Sequence, residues 1–204
     1  MILSNPELKK AIHRSQHCQR NWDLTKEIPE EDMDLIITAA TQCPSKQNIA
    51  HYKVHAITNR DLIEKIHQNT VGFQVVHTNS QVLANLLLVF EYKSVDTHKN
   101  LFSYNKEISQ SDKANSFLRD AHMAVGVAAG YVNVISSIVG YNTGCCACFN
   151  GSAIKELLGL ENDVLLMMGV GFKDPSLNRR IHHENHDFTF PAIKKEEISI
   201  KYYR

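Results

Sequence analysis

Three cysteines, Cys145, Cys146 and Cys148, lie within a stretch of four residues, a spacing that could supply thiolate ligands to a metal ion. Structural zinc and iron–sulfur sites usually combine one such group with a second group of ligands elsewhere in the chain. The two other cysteines, Cys18 and Cys43, stand alone. We therefore interpret the cluster as small buried residues and predict no metal site, with a thiolate metal site as the alternative.

A second segment with chemistry to offer is CPSKQN, residues 43–48. Pro44 biases the residue before it toward extended geometry, so the preceding helix is expected to end there. Ser45 and Asn48 then present a hydroxyl and an amide that can hydrogen-bond to a ligand or to the loop itself. The segment therefore predicts a loop with binding capacity.

Eleven histidines are scattered along the chain, and three of them, His182, His183 and His186, form the local group HHENH. No pair has the HExxH spacing that places two histidines on one face of a helix. We interpret most of them as surface residues or as core residues with hydrogen-bond partners.

The stretch 121–154 contains no Asp, Glu, Lys or Arg, and it is expected to be buried. A lipid bilayer, the centre of a soluble core, or a subunit interface that holds a ligand could each accept it. Gly126 and Gly130 form the GxxxG pair of membrane helices, but polar residues such as Asn133 and Asn142 are spread through the stretch. We therefore predict no membrane span and favour the liganded interface.

The chain has 204 residues, a size typical of one domain, and we predict a single domain over 1–204 with an extended C-terminal arm at about 187–204. The 22 basic and 22 acidic residues leave no net charge to attract nucleic acid or an anionic membrane surface. The N-terminal MILSNPELKK lacks the pattern of an export signal, so we expect a cytoplasmic protein.

Hydrophobic periodicity and helix-ending residues predict the order of the elements. The predicted elements are a helix at 8–15, a helix that starts at Pro29, a strand at 52–58, a short helix capped by Asn59, a strand at 82–92, a loop and helix start at 93–113, a long helix from 116 to Gly140, a short helix capped by Asn150 or Ser152 and ended by Gly159, and a strand at 164–172. The tail EEISIKYYR alternates like a strand that could join a sheet edge, including a partner's.

Four segments in this order resemble motifs of the FMN-dependent nitroreductase family. QHCQRNW, residues 16–22, resembles an N-terminal Arg-x-Ser-x-Arg-x-aromatic motif, and CPSKQN resembles a Pro-Ser-Ser-x-Asn loop. The apolar helix that leads to GYNTGCCACF resembles a central helix with its glycine turn, and GVGFKDPSLNRR resembles a closing strand with a basic pair. Each motif is short, and their order and spacing together carry the resemblance.

The resemblance implies an α+β fold in which a mixed sheet is flanked by helices. It also implies an intertwined homodimer, with the long helix at the centre of the interface and two FMN sites between the subunits. The uncharged stretch would then be buried by the partner subunit and the flavin.

The resemblance further implies a set of cofactor-binding residues. They are Gln16, His17, Cys18, Arg20, Ser45, Asn48, Asn79, Ala147, Cys148, Arg179 and Arg180.

The parts of FMN need different partners from this set. The phosphate would be bound by Arg20, Arg179 and Arg180, because a guanidinium forks onto its oxygens. Arg20 is also the candidate for the charge at N1 and O2 of reduced flavin. Ser45 and Asn48 would bind the flavin or support its loop, and Asn79 would reach the pyrimidine edge. The backbone N–H groups of Ala147 and Cys148 would approach N5 and O4, a role that suits small neighbours and explains the cysteines without a metal.

The chain departs from the family motif at two positions. Gln16 stands where the family commonly has Arg, and Cys18 stands where it commonly has Ser. Both changes weaken phosphate recognition. Arg14 could compensate, or the motif could be shifted to a frame that uses His13, Arg14 and Ser15; we prefer the Arg20 frame because it keeps the spacing to the CPSKQN loop.

The activity implied is transfer of a hydride from NADH or NADPH through flavin N5 to a small organic acceptor, such as a nitroaromatic or a quinone, by a ping-pong mechanism. The flavin carries this chemistry, so no side chain is predicted as a catalytic acid or base. The departures at Gln16 and Cys18 also leave an alternative, a non-catalytic flavin-binding protein on the same scaffold.

Overall fold

The computed structural model describes residues 4–71, 79–93 and 110–203 and shows a four-stranded sheet with helices on both faces. In chain order the elements are α1 (Asn5–Ser15), α2 (Glu30–Thr41), β1 (Tyr52–Ile57), α3 (Arg60–His67), β2 (Leu86–Tyr92), α4 (Gln110–Ile138), β3 (Asn142–Cys146), α5 (Gly151–Leu158) and β4 (Val164–Gly171), with short 3-10 turns at Lys46–Asn48 and Ser80–Val82. The predicted α+β class is confirmed.

The strands lie in the order β1-β2-β4-β3, and each neighbouring pair is antiparallel. The sequence predicted a mixed sheet, so this part of the prediction differs from the strands that the structure describes. The four strands alternate in direction across the sheet, and a parallel pair would therefore need a further strand at an edge.

Strand β2 is buried on both faces, which explains the unbroken apolar run of its sequence. Leu87 and Val89 pack in the core beneath α3 and α5, whereas Leu86, Leu88 and Phe90 pack in the core beneath α2 and α4. This alternation follows from the two-residue period of a strand. The sheet thus separates two hydrophobic cores.

The predicted ends of the two short helices are confirmed. Asn59 caps α3 and Asn150 caps α5, because each side chain accepts a hydrogen bond from the backbone N–H three residues on, at 2.9 and 3.2 Å. Gly159 ends α5 with φ 62°, and Gly140 follows α4 with φ 101°, values in the left-handed region that favours glycine.

Two boundaries differ from the prediction. Helix α4 already includes Gln110, the residue at which the described part of the chain resumes, six residues before the predicted start at 116. Residues 142–146 form strand β3, where the sequence predicted a cysteine-rich turn. The sequence Asn-Thr-Gly-Cys-Cys lacks the alternation of apolar and polar residues that is typical of a strand. Packing requires its glycine, because a Cβ on Gly144 would lie 2.6 Å from the backbone oxygen of Gln19. The predicted loop at 93–113 lies mostly outside the described residues.

Helix α4 combines a buried face with an apolar exposed face. Met123, Val127 and Tyr131, one turn apart, are 63%, 40% and 45% exposed, and Gly126 and Gly130 lie beside them with open space around their Cα atoms. Helix residues Asn115–Ile138 are long and apolar enough to cross a membrane; their most apolar 18-residue part has a mean hydropathy of 1.4, and 44% of that part is buried in this chain. The central helix of a soluble fold meets the same criterion.

The C-terminal residues 191–203 form neither a helix nor a strand. Ile193, Ile198 and Ile200 are 87%, 75% and 72% exposed. The alternation of the tail therefore finds no strand partner within the part of this chain that the structure describes.

Candidate functional site

The segment that follows α1 lies beside β3, the strand at one edge of the sheet. The backbone N–H of Gln19 donates to the carbonyl of Thr143 at 2.8 Å, and the N–H of Asp23 donates to the carbonyl of Phe172 at 2.9 Å. These two bonds fix residues 19–23 beside β3 and the end of β4. They also hold Arg20 at the sheet edge.

Three arginines meet at this edge. Arg20 and Arg179 donate to the same carbonyl, that of Cys18, at 3.3 and 3.4 Å. Arg180 donates to the carbonyl of Phe190 at 3.0 Å, and the guanidinium carbon of Arg20 lies 4.5 Å from the centre of the Phe190 ring. The structure thus brings together the three predicted phosphate-binding residues, although Arg20 lies 159 positions before Arg179 in the chain.

The arginine cluster carries positive charge that its surroundings do not neutralise. Burial lowers the pKa of Arg20; Cys18 opposes this effect in part, and the charges of Arg179 and Arg180 add smaller lowering effects. The Nε atom of Arg20 is buried and has no hydrogen-bond partner among the described residues. A buried unpaired charge is costly, and an anionic ligand with several acceptor oxygens would offset that cost. The residues present therefore fit a phosphate.

The neighbouring predicted residues lie at the surface of this cluster. Gln16 is the exposed C-cap of α1, and His17 is also exposed. Burial, followed by the charges of Arg179 and His13, lowers the pKa of His17, which shows that its imidazole shares the electrostatic environment of the cluster. Gln16 thus offers a neutral side chain where the family motif commonly has a charge.

Arg14 is anchored elsewhere. Its Nε donates to the hydroxyl of Ser137 at 2.9 Å, and its Nη2 donates to the backbone carbonyl of the same residue. These bonds join α1 to the C-terminal end of α4. The alternative frame through His13, Arg14 and Ser15 would place the motif inside α1, and the Arg20 frame stays a prediction.

The CPSKQN loop forms a separate group. The Ser45 hydroxyl donates to the carbonyl of Ile49 at 2.8 Å, and Asn48 is exposed with φ 57°, a left-handed conformation that asparagine adopts more readily than most residues. Lys46 forms an ion pair of 2.6 Å with the buried carboxylate of Asp120 on α4. Within the described ranges, no hydrogen bond or ion pair joins Ser45 or Asn48 to the other predicted site residues.

The end of β3 forms a second part of the arginine-cluster region. The Cys18 thiol donates to the carbonyl of Cys145 at 3.9 Å. Burial raises the pKa of Cys145 to about 11 and that of Cys146 to about 12, so both remain protonated thiols near neutral pH. Among the residues that the structure describes, no three His, Cys, Asp or Glu side chains are placed to hold a metal ion.

Ala147 and Cys148 are exposed where the chain leaves β3. In the described parts of the chain, no backbone carbonyl accepts the N–H of either residue, so both groups can donate to a ligand. Asn79 supports this turn, because its Nδ2 donates to the carbonyls of Val71 and Cys148 at 2.7 and 3.1 Å. A contact between this amide nitrogen and a flavin edge would have to replace one of these bonds.

Sequence analysis gave no role to Phe190, Asn21 and His183, although all three shape the cluster. The Asn21 amide donates to the carbonyls of Asn178 and Ile181, and His183 accepts a hydrogen bond from the backbone N–H of Trp22 at 3.1 Å. The HHENH group was the only sequence signal among them. The Trp22 N–H that donates to His183 lies 161 positions away in the chain, a separation that no local pattern reveals.

The fold is an α+β fold, and three arginines meet at the edge of its sheet beside β3. The chain belongs to the Nitroreductase family, whose family model matches residues 14–172. Membership indicates an oxidoreductase. A search of curated protein sequences found no match.

Solved structures share the fold at low sequence identity. The ydfN protein of Bacillus subtilis, classed as a nitroreductase, is 16% identical with a TM-score of 0.71, over 98% of this chain and 100% of that one. A protein of Staphylococcus epidermidis classed as an NAD(P)H:FMN oxidoreductase is 17% identical with a TM-score of 0.66. The match covers 87% of this chain and 92% of that chain. A protein of Exiguobacterium sibiricum classed as a nitroreductase, whose structure is in complex with FMN, is 15% identical with a TM-score of 0.65. The match covers 96% of this chain and 95% of that chain.

Proposed function

We propose that this protein is a cytoplasmic, homodimeric, FMN-dependent oxidoreductase that uses NADH or NADPH to reduce a small organic acceptor. The observation that carries the proposal is the arginine cluster, in which a buried Arg20 Nε lacks a partner within the described residues. Family membership and two relatives whose names include FMN support the choice of ligand.

The phosphate of FMN would be held by the arginine cluster. Arg20 is the most constrained member, because Cys18, Phe190 and the two other arginines surround it. Arg179 and Arg180 are half-buried and face the same region from the chain segment after β4. Paired guanidinium groups bind a dianion through charge-assisted hydrogen bonds, which here compensate for the missing Arg at position 16.

The flavin ring would lie against the turn that follows β3. The N–H groups of Ala147 and Cys148 are available to hydrogen-bond its polar edge, and Asn79 keeps this turn in place. The chemistry that bound FMN supplies is acceptance of a hydride at N5 from NAD(P)H and release of the electrons to the second substrate. The chain binds and orients, and no side chain of the cluster serves as an acid or base.

The exposed face of α4 is the proposed dimer interface. Met123, Val127 and Tyr131 form a contiguous apolar surface, and the glycines between them permit close approach of a second backbone. The tail 191–203 carries further exposed apolar side chains. Its backbone could add as a strand to the sheet edge of a partner, which would cover these side chains.

A cavity of about 490 Å³ near the start of α3 is lined by other residues: Leu24, Lys26, Glu27, Ile28, Met33, Thr58, Arg60 and Asn85. It contains none of the predicted site residues.

Replacing Val127 with Glu should convert the dimer to a monomer, because a carboxylate would be buried in an apolar interface at a cost of several kcal/mol. Analytical ultracentrifugation measures the mass. Gln68→Glu, an exposed change at the C-terminal end of α3 on the other face of the sheet, should leave the dimer intact. A Val127→Glu protein that sediments as a dimer would exclude this face as the interface.

The proposed cofactor is tested by the visible spectrum. Purified protein incubated with excess FMN and passed through a desalting column should retain flavin absorbance, with one FMN per chain. A colourless protein under these conditions would contradict the proposed function, whereas flavin retained without any later reduction by NADH or NADPH would favour the passive flavin-binding alternative.

A further inference from the structure

Residues 178–190, here called the arginine loop, carry Arg179 and Arg180 to the candidate phosphate site. The loop folds back on itself, with an antiparallel bridge between Ile181 and Thr189 and a hydrogen bond of 2.8 Å from the N–H of Phe190 to the carbonyl of Arg180. This return places the Phe190 ring against Arg20. The arginine cluster therefore depends on how the arginine loop docks.

The arginine loop is docked to the segment that carries Arg20 by hydrogen bonds from that segment. The Asn21 amide donates to two loop carbonyls, and the backbone N–H of Trp22 donates to Nδ1 of His183 at 3.1 Å. The Trp22 ring is itself buried, at 2% exposed, and its Nε1 donates to the carbonyl of Ser80 at 2.8 Å. Of these docking groups, His183 is the one whose side chain can gain a proton.

The Trp22 contact fixes the protonation state of His183. A backbone N–H can only donate, so Nδ1 must be the unprotonated acceptor nitrogen of a neutral ring. A second proton would place an Nδ1–H against the Trp22 N–H and break the bond. In agreement, burial and then the charges of Arg60, His182 and His186 lower the pKa of His183, against a smaller opposing effect of Asp174.

The groups around His183 come from three parts of the chain. Arg60 and His67 belong to α3, Asp174 follows β4, and the remaining groups, His182, Glu184 and His186, belong to the arginine loop. The rings of His67 and His182 lie 6.1 Å apart, and the Glu184 carboxylate lies 3.6 Å from Nδ1 of His67. Glu184 is exposed, so water screens its charge, and the positive and buried neighbours keep His183 neutral.

We propose that His183 is a positioning residue for phosphate binding: its neutral ring docks the arginine loop on Trp22, and its protonation releases the loop and weakens FMN binding. This inference rests on the proposed FMN function. A released His183 has an ordinary pKa of about 6.5, above that of the docked ring. Docking is therefore complete above about pH 6.5 and is lost progressively as the pH falls toward the lower, docked value.

The first test follows loop docking without FMN. Trp22 is the only tryptophan of the chain, so its fluorescence reports on the docking site. In the wild type, lowering the pH from about 8 to about 5 should shift the emission to longer wavelength as the loop releases. His183→Asn, whose Oδ1 replaces Nδ1 without titrating, should abolish this shift while the fold, monitored by circular dichroism, is kept. Asp187→Asn, an exposed change in the same loop at a residue that is not among the groups acting on the pKa of His183, should behave as wild type.

The second test measures FMN affinity over the same pH range. The wild type should lose about fivefold to tenfold more affinity on acidification than His183→Asn, because only the wild type breaks a docking hydrogen bond. Protonation of the FMN phosphate affects both proteins equally and cancels in the comparison. Identical pH profiles of the wild type and His183→Asn, in fluorescence or in affinity, would overturn the inference.

The two tests separate this inference from the proposed function. A wild type that fails to bind FMN at neutral pH contradicts the proposed function, while the Trp22 fluorescence still shows whether His183 docks the loop. FMN binding with a pH profile that His183→Asn leaves unchanged contradicts the positioning role alone.

Discussion

Replacing Gly169 with Ala should lower the free energy of unfolding by about 3 kcal/mol or more. Gly169 lies at the centre of β4, where the backbone of Gln81 crosses the strand. A Cβ at this position would overlap the carbonyl oxygen of Gln81 and lie 2.8 Å from the Cβ of Ala84. Both neighbours belong to the tightly buried turn before β2, so they cannot move aside without disturbing the core. Urea-induced unfolding measures the change.

Gly151→Ala is the matched control, because a Cβ at that position would meet only the Phe149 ring at an ordinary distance of 3.9 Å. Its effect should stay within about 1 kcal/mol, the size of a normal difference between glycine and alanine in a helix. Equal stabilities of the Gly169→Ala and Gly151→Ala proteins would mean that the close approach of Gln81 to β4 is wrong.

Replacing Arg20 with Ala should weaken FMN binding by about 1.5 to 3 kcal/mol, the range for a hydrogen bond to a charged group. The loss should appear with FMN and not with riboflavin, which lacks the phosphate. The protein without cofactor should change little in stability, since the substitution removes a buried charge whose Nε has no partner among the described residues. Fluorescence titration with both flavins measures the two affinities.

Arg14→Ala is the control for this substitution, because Arg14 is bonded to Ser137 rather than to the cluster. It should alter thermal stability and leave FMN affinity unchanged. If instead Arg14→Ala weakens FMN binding and Arg20→Ala does not, the alternative motif frame is the correct one.

Much of the fold follows from local patterns in the sequence. The caps at Asn59 and Asn150 and the glycine after α5 were predictable because they act on backbone groups a few residues away. The buried strand β2 was predictable from its apolar run. Strand β3 was missed, since Gly144 is set by the crossing of a distant backbone and not by its neighbours in sequence.

The candidate site was predictable only in part. The family motifs pointed to Arg20, Arg179 and Arg180, and the structure places Arg20 and Arg179 at the Cys18 carbonyl and Arg180 at the Phe190 carbonyl. The loop with Ser45 and Asn48 is joined to α4 through Lys46 and Asp120 instead. The contacts of Phe190 and His183 depend on the return of the arginine loop to residues 20–22, and no local sequence pattern determines such a contact.

The most direct test of the central claim is anaerobic mixing of the FMN-loaded protein with NADH and, separately, with NADPH, while the visible absorption of the flavin is recorded. At least one nicotinamide should bleach the flavin rapidly, and the absorption should return when a quinone or nitroaromatic is added. Retention of FMN whose absorption neither nicotinamide bleaches would contradict the claim that this protein is an oxidoreductase that transfers hydride through FMN.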